Sequence, residues 1–319
     1  MAHDLADKLA TQKLVVLDGG LATELERRGF HLRDHLWSAS VLAARPDVVR
    51  DVHLAYLRAG VDVITTAAYQ ASVPGFVAAG HPRAAAEALY RSSVRVAFEA
   101  QQAWCQERGM LPEDRAAPLV AMSVGSYGAY LADGSEYRGL YGAPAAQVRA
   151  FHEERLALAV DELRQWTARP LIAFETVPSL AEAELLCELL AAYPDAQGWI
   201  SFSCGSDRTT AEGQPLTECA RSLGACEQLA AVGVNCTSPD DVAALVKALA
   251  SGDKPVIAYP NGGGLYDAAR KVWVGDAAGV ASEVAIASWV RSGARGLGGC
   301  CRTTPEWVAR LVALRDASA

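Results

Sequence analysis

Eight short apolar runs punctuate the chain, at 14–17, 61–64, 119–124, 171–174, 199–202, 231–234, 256–259 and 294–297, each leading into a Gly, Asn, Ser, Thr or acidic residue. They are near-continuous rather than alternating, which is the pattern of strands buried on both faces. Between them Leu, Val and Ala recur at helical spacing over 45–59, 84–102, 145–167, 179–192, 216–229 and 240–249. Pro46, Pro239 and Pro305 fall at helix first turns, and Gly60 falls where a helix would stop. Strand and helix alternating eight times predicts an α/β chain folded as a (β/α)8 TIM barrel. The expected organisation is one domain over residues 1–319, with 1–12 as an N-terminal extension. A doubly wound open sheet is the weaker alternative. It gives no reason for groups at the ends of the sixth and eighth runs to meet, whereas a closed barrel gathers every strand C-terminus around one mouth.

A chain of 319 residues buries a core without disulfide or metal staples. Its net charge of −8, with no run of Lys and Arg longer than a pair such as Arg27-Arg28, argues against a nucleic-acid partner. The N-terminus has no basic segment ahead of an apolar one, and no stretch approaches the ~18 uninterrupted apolar residues of a membrane span. The expectation is therefore a cytoplasmic protein that does not cross a membrane. Its eight cysteines should be mostly reduced there. Nothing in the sequence sets an oligomeric state. The longest irregular segment is expected at 126–142, with Tyr127, Tyr130, Asp133, Glu136, Tyr137, Arg138 and Tyr141, a loop long enough to cover a barrel mouth.

Three cysteines follow apolar runs. Cys236 stands in Gly233-Val234-Asn235-Cys236-Thr237-Ser238-Pro239, and Cys300 and Cys301 stand in Gly298-Gly299-Cys300-Cys301-Arg302-Thr303-Thr304-Pro305. Three convergent thiolates suit zinc and leave the fourth tetrahedral position free. Neighbouring residues on a regular strand point to opposite faces, so Cys300 and Cys301 need the freedom that Gly298 and Gly299 give to face one ion. The plainer reading of any one of them is a buried, inert thiol. Cys105, Cys187, Cys219 and Cys226 lie on expected helices and read as packing residues, while Cys204 follows the fifth run and could reach the mouth. The histidines form no His-Glu-x-x-His pattern, and His31 and His35 read as surface residues.

Asp18 and Glu175 close the first and fourth runs. Each suits a substrate ammonium group; the alternatives are an Asx turn for Asp18 and an N-cap or ion pair for Glu175. Asn235, Thr65 and Thr66 either meet substrate or hold their turns. Gly262-Gly263-Gly264 is a weak phosphate-loop signal. No lysine sits at an expected strand end, which disfavours Schiff-base chemistry, and no nucleotide fingerprint appears.

Across nearly its full length the chain resembles the zinc-dependent homocysteine S-methyltransferases. The resemblance rests on Asp18-Gly19-Gly20-Leu21-Ala22-Thr23-Glu24-Leu25, Leu36-Trp37-Ser38-Ala39, Thr65-Thr66-Ala67-Ala68-Tyr69-Gln70, Ser123-Val124-Gly125-Ser126-Tyr127-Gly128-Ala129, Phe174-Glu175-Thr176 and the two cysteine segments. It implies Zn2+ held by Cys236, Cys300 and Cys301, and homocysteine bound by Asp18, Gly19, Thr66 or its neighbour, Glu175 and near Asn235. It implies small-molecule substrates: homocysteine and a sulfonium methyl donor, S-methylmethionine or S-adenosylmethionine ahead of betaine. Ser126 stands where the family commonly has proline, and Gly263-Gly264-Leu265 replaces a more polar segment. Tyr127, Tyr130, Tyr137 or Trp37 would offer a face to the sulfonium. The rival readings are a zinc hydrolase with Glu175 as base, and a thiol-redox or metal-responsive binding protein without catalysis.

Overall fold

In the computed structural model, which describes residues 4–32, 38–267, 272–275 and 281–317, the eight apolar runs are parallel strands of one sheet. They are β1 (Val15–Val16), β2 (Val63–Thr65), β3 (Leu119–Gly125), β4 (Leu171–Val177), β5 (Gln197–Phe202), β6 (Leu229–Asn235), β7 (Val256–Tyr259) and, as the eighth, β10 (Ala294–Leu297). A separate antiparallel pair, β8 (Leu265–Asp267) and β9 (Val272–Val274), precedes β10. The sheet order is β1-β10-β7-β6-β5-β4-β3-β2. Its two outer strands meet through a parallel bridge between Leu17 and Val63, and Asp18 N–H donates to Val63 O at 3.0 Å, so the sheet closes into the expected (β/α)8 barrel.

Every residue of β3 to β7 is buried, as both-face burial demands. Alternate residues divide into two cores. Leu17, Val63, Ala121, Ala173, Trp199, Ala231, Ile257 and Tyr259 fill the barrel interior. Val16, Ile64, Met122, Phe174, Ile200, Val232 and Ala258 pack outward against the helices. Trp199 fits the interior because its indole N–H donates to the Tyr259 hydroxyl at 3.0 Å. The extension folds into a helix, Leu5–Thr11, capped by Asp4, whose carboxylate accepts from Asp7 N–H at 2.9 Å. Its Leu5 and Leu9 join the interior core and seal the barrel floor.

Some element boundaries differ from the sequence expectation. The helix expected over 216–229 stops at Leu223, because Leu229 pairs with Gly198 and opens β6. Strand pairing there overrides helical spacing. The helices Ser38–Ala44 and Val73–Ala78 were not anticipated. The expected irregular stretch at 126–142 contains a short helix, Tyr127–Leu131, and a 3-10 turn, Ser135–Tyr137. Ser126 is the reason for the first: its hydroxyl accepts from Ala129 N–H at 3.3 Å. The glycine run at 262–264 leads into the β8–β9 hairpin, with Gly263 and Gly264 both at positive φ. His35 and Trp37 lie outside the described residues. Among the described residues, no helix is long and apolar enough to cross a membrane.

Candidate active site

The C-terminal ends of the strands surround one pocket, and Asp18, Gly19, Thr66, Glu175, Asn235, Cys236, Cys300 and Cys301 all line it. Cys236 follows β6 with φ of 50°, a left-handed turn at the strand end. The segment after β10 turns on its glycines. A Cβ at Gly298 would meet Leu17 Cβ at 2.7 Å, and one at Gly299 would meet Thr303 Oγ1 at 2.2 Å. The turn is then tied down: Cys300 N–H donates to Pro260 O at 2.9 Å, Gly262 N–H to Cys301 O at 2.8 Å and the Thr303 hydroxyl to Cys300 O at 2.6 Å.

The result is three Sγ atoms within 4.8 Å of one another, which among the described residues is the one cluster of three or more metal-ligating side chains. A tetrahedral ion with metal–sulfur bonds of about 2.3 Å needs sulfurs about 3.8 Å apart, so the spacing and the all-sulfur donor set fit a soft divalent ion. The Tyr137 hydroxyl lies 3.2 Å from Cys236 Sγ, and Asn235 Nδ2 lies 3.9 Å from Cys300 Sγ. Hydrogen bonds from Cys300 and Cys301 hold Cys236 well below the usual thiol range, while contact with Cys236 pushes both partners up. Cys105 and Cys219 are buried in the outer core, and Cys187, Cys204 and Cys226 pack against it. Cys204 does not reach the pocket.

The carboxylates are equally built in. Asp18 Oδ2 accepts from Thr65 N–H at 2.8 Å, and the Thr65 hydroxyl approaches Oδ1 at 3.2 Å. Burial raises Asp18 well above the usual carboxylate range; the Thr65 hydrogen bonds oppose this and the charge of Glu175 adds to it. Glu175 accepts from the Ser123 hydroxyl, and burial pushes it up to about 7. Asn235 Oδ1 accepts from Thr176 N–H at 2.7 Å while its Nδ2 donates to the Thr176 hydroxyl at 2.8 Å, holding Thr176 at φ of 56° beside Glu175. The Thr66 hydroxyl accepts from Ser123 N–H at 3.1 Å. Gly19 leaves room for Tyr56 and Thr303, whose side chains a Cβ would meet at under 3 Å.

The loop after β3 brings in residues that the sequence reading did not assign. Glu136 is 6% exposed and lines the pocket, and its Oε2 has no hydrogen-bond partner. Burial raises its carboxyl to about 7, with the charge of Cys236 adding to the effect. The turn carrying Glu136 packs on Gly128, where a Cβ would meet Glu136 N at 2.5 Å. Glu182 anchors the loop from outside: it accepts from Tyr127 N–H at 2.7 Å and from the Tyr141 hydroxyl, and lies 2.8 Å from His152 Nε2. Buried Arg155 ties the loop bases together through the carbonyls of Gly125, Ala68 and Tyr69. Of the aromatics expected to face a donor, Tyr137 lines the pocket, whereas Tyr127 and Tyr130 pack on Phe151 away from it. Among the described residues lining the pocket there are three carboxylates and no Lys, Arg or His. The pocket is built to receive cations.

The family model described as homocysteine S-methyltransferase matches residues 15–314. Homocysteine S-methyltransferase YbgG of Bacillus subtilis is 40% identical over 307 residues, covering 96% of this chain and 95% of that protein. Selenocysteine Se-methyltransferase of Brassica oleracea is 41% identical, covering 94% and 90%. The crystal structure of the homocysteine methyltransferase MmuM from Escherichia coli in its metallated form superposes with a TM-score of 0.83 at 39% identity, covering 97% of this chain and 98% of that one.

Proposed function

Since this chain belongs to the homocysteine S-methyltransferase family, we propose that it moves a methyl group from a sulfonium donor to the thiol of L-homocysteine, forming methionine, with Zn2+ held by Cys236, Cys300 and Cys301. The observation that carries this reading is the three-sulfur cluster opening on a pocket with three carboxylates and no basic side chain. Asp18 and Glu175 receive the ammonium group of the acceptor, and Gly19, Thr66 and Asn235 shape the walls that orient it. A free thiol stays mostly protonated at neutral pH, with a pKa of about 8.5. Zinc held by Cys236, Cys300 and Cys301 would supply the missing acidity, because a coordinating thiol loses its proton outright.

The acceptor sulfur then attacks the methyl carbon in line. The new sulfur–carbon bond forms as the donor's sulfur–carbon bond breaks, and the electron pair stays on the donor sulfur, which leaves as a neutral thioether. A sulfonium is a good leaving group without protonation, so the site needs no general acid. The rigid pocket contributes by orientation, worth up to about 7–11 kcal/mol in well-aligned systems. The anionic lining suits the net positive charge of S-methylmethionine and S-adenosylmethionine better than zwitterionic betaine, and the family resemblance puts S-methylmethionine first. The hydrolase reading named Glu175 as its base, and Glu175 is instead bound to Ser123; hydrolytic zinc is also held more often by His and carboxylate than by three thiolates. We take residues 1–319 as one homocysteine-binding domain, and free thiols as functional ligands suit the reducing cytoplasm.

The test is methionine formation from homocysteine and S-methylmethionine, with metal content read by mass spectrometry. Cys301→Ala should lose the metal and turnover together, while Cys105→Ala, in the outer core, should keep both. Full turnover by Cys301→Ala refutes the assignment.

A further inference from the structure

Every charged group in the pocket but one has an evident task. Asp18 is fixed by Thr65 and Glu175 by Ser123, at the ends of β1 and β4, where they serve the acceptor's ammonium. Glu136 comes from a different element, the turn Ser135–Tyr137, and its Oε2 is buried in the pocket with no partner. A buried carboxylate without a counter-charge is costly. Its persistence in an otherwise tightly tied loop points to a cation that arrives with a ligand.

We propose that Glu136 is the specificity residue for the methyl donor, its carboxylate facing the donor's cationic sulfur. The inference rests on the methyl-transfer reading and deepens it. The adjacent residue, Tyr137, places its hydroxyl 3.2 Å from Cys236 Sγ, so the turn lies directly over the sulfur cluster. In an in-line transfer the methyl carbon stands about 3–3.5 Å from the acceptor sulfur, with the donor sulfur one bond beyond it. The donor's positive charge must therefore stand close to this cluster, where Glu136 is the unpartnered anion. A trisubstituted sulfonium has no N–H or O–H to donate. A carboxylate oxygen free of hydrogen bonds suits it through Coulomb attraction alone. That attraction is made by the bound donor and largely kept in the transition state, where the donor sulfur still carries much of its charge; it is gone only once the thioether has formed. It therefore belongs to donor binding rather than to the chemical step.

The test compares metal-loaded wild type, Glu136→Gln and Glu136→Asp. Glu136→Gln keeps the shape and removes a buried charge, so folding should survive. With S-methylmethionine it should raise KM by about 10- to 100-fold while kcat changes little. Glu136→Asp should recover most of the loss. Methylation of homocysteine by methyl methanesulfonate, a neutral agent, should be unchanged, and so should calorimetric binding of homocysteine. Trimethylsulfonium, a bare sulfonium without an ammonium group, should bind Glu136→Gln about tenfold more weakly than wild type.

Equal trimethylsulfonium affinity in wild type and Glu136→Gln overturns the proposal. So does an equal loss with charged and neutral methyl donors, which would mark a structural role, or a loss of homocysteine affinity, which would move Glu136 to the acceptor. Wild-type enzyme that makes no methionine, yet shows the trimethylsulfonium difference, refutes the methyl-transfer reading while upholding the cation site.

Discussion

A single missing methyl group controls the metal centre at Gly299. A Cβ there would collide with Thr303 Oγ1 at 2.2 Å and Thr303 Cβ at 2.6 Å, and that threonine also bonds Gly20 N–H and Cys300 O. Gly299→Ala should push Cys300 and Cys301 out of register and leave the purified protein with well under one metal per chain, while circular dichroism still reports a folded barrel. Stoichiometric metal in that variant would show that the turn has slack. The thiols themselves were legible in the sequence, because a buried strand ending in Asn-Cys or Gly-Gly-Cys-Cys announces both its direction and its freedom to turn. Glu136 was not. Its position depends on left-handed residues at Ala132, Gly134, Gly139 and Leu140 and on an anchor, Glu182, that lies far along the chain. No periodic pattern encodes such a path.

The helix Pro46–Arg58 illustrates what an element contributes. His53 on its inner face is fully buried, neither ring nitrogen has a partner, and burial alone lowers its pKa to about 4. The unfolded chain takes up this proton near pH 6.5 and the folded chain only near 4. Stability from this site is therefore complete above about pH 6.5 and drains away as pH falls toward 4, by about 3 kcal/mol in total. Chemical denaturation of His53→Phe should show a shallower loss of stability across that window, and an unchanged slope would exclude His53 as a cause of acid sensitivity. The longer helices were readable from spacing, whereas Ser38–Ala44 and Val73–Ala78 were not. Nor was the end of the helix Leu216–Leu223, since what stops it is the pairing of Leu229 with Gly198 in a neighbouring strand.

For the molecule as a whole, eightfold alternation specified the barrel, but not how it closes. Closure rests on a two-residue strand, β1, and one bridge between Leu17 and Val63, which no local pattern marks. Beside this seam lie Asp18 and the sulfur-bearing turn, joined by the hydrogen bond from Gly299 N–H to Asp18 O at 2.8 Å. An ion that binds only the folded state stabilises it by about 2.7 kcal/mol at a hundredfold excess over Kd. Chelation should therefore lower the melting temperature by several degrees, with recovery on adding zinc. No change on chelation would separate the cluster from folding stability.

The helix under the barrel has a further consequence. With Leu5 and Leu9 plugging one end, the chamber is a cul-de-sac. Two guests that share a single doorway cannot pass each other. On the proposed placement, with the acceptor at the strand tips and the donor beneath the Glu136 turn, the two use one entrance, so the binding of one conditions access for the other.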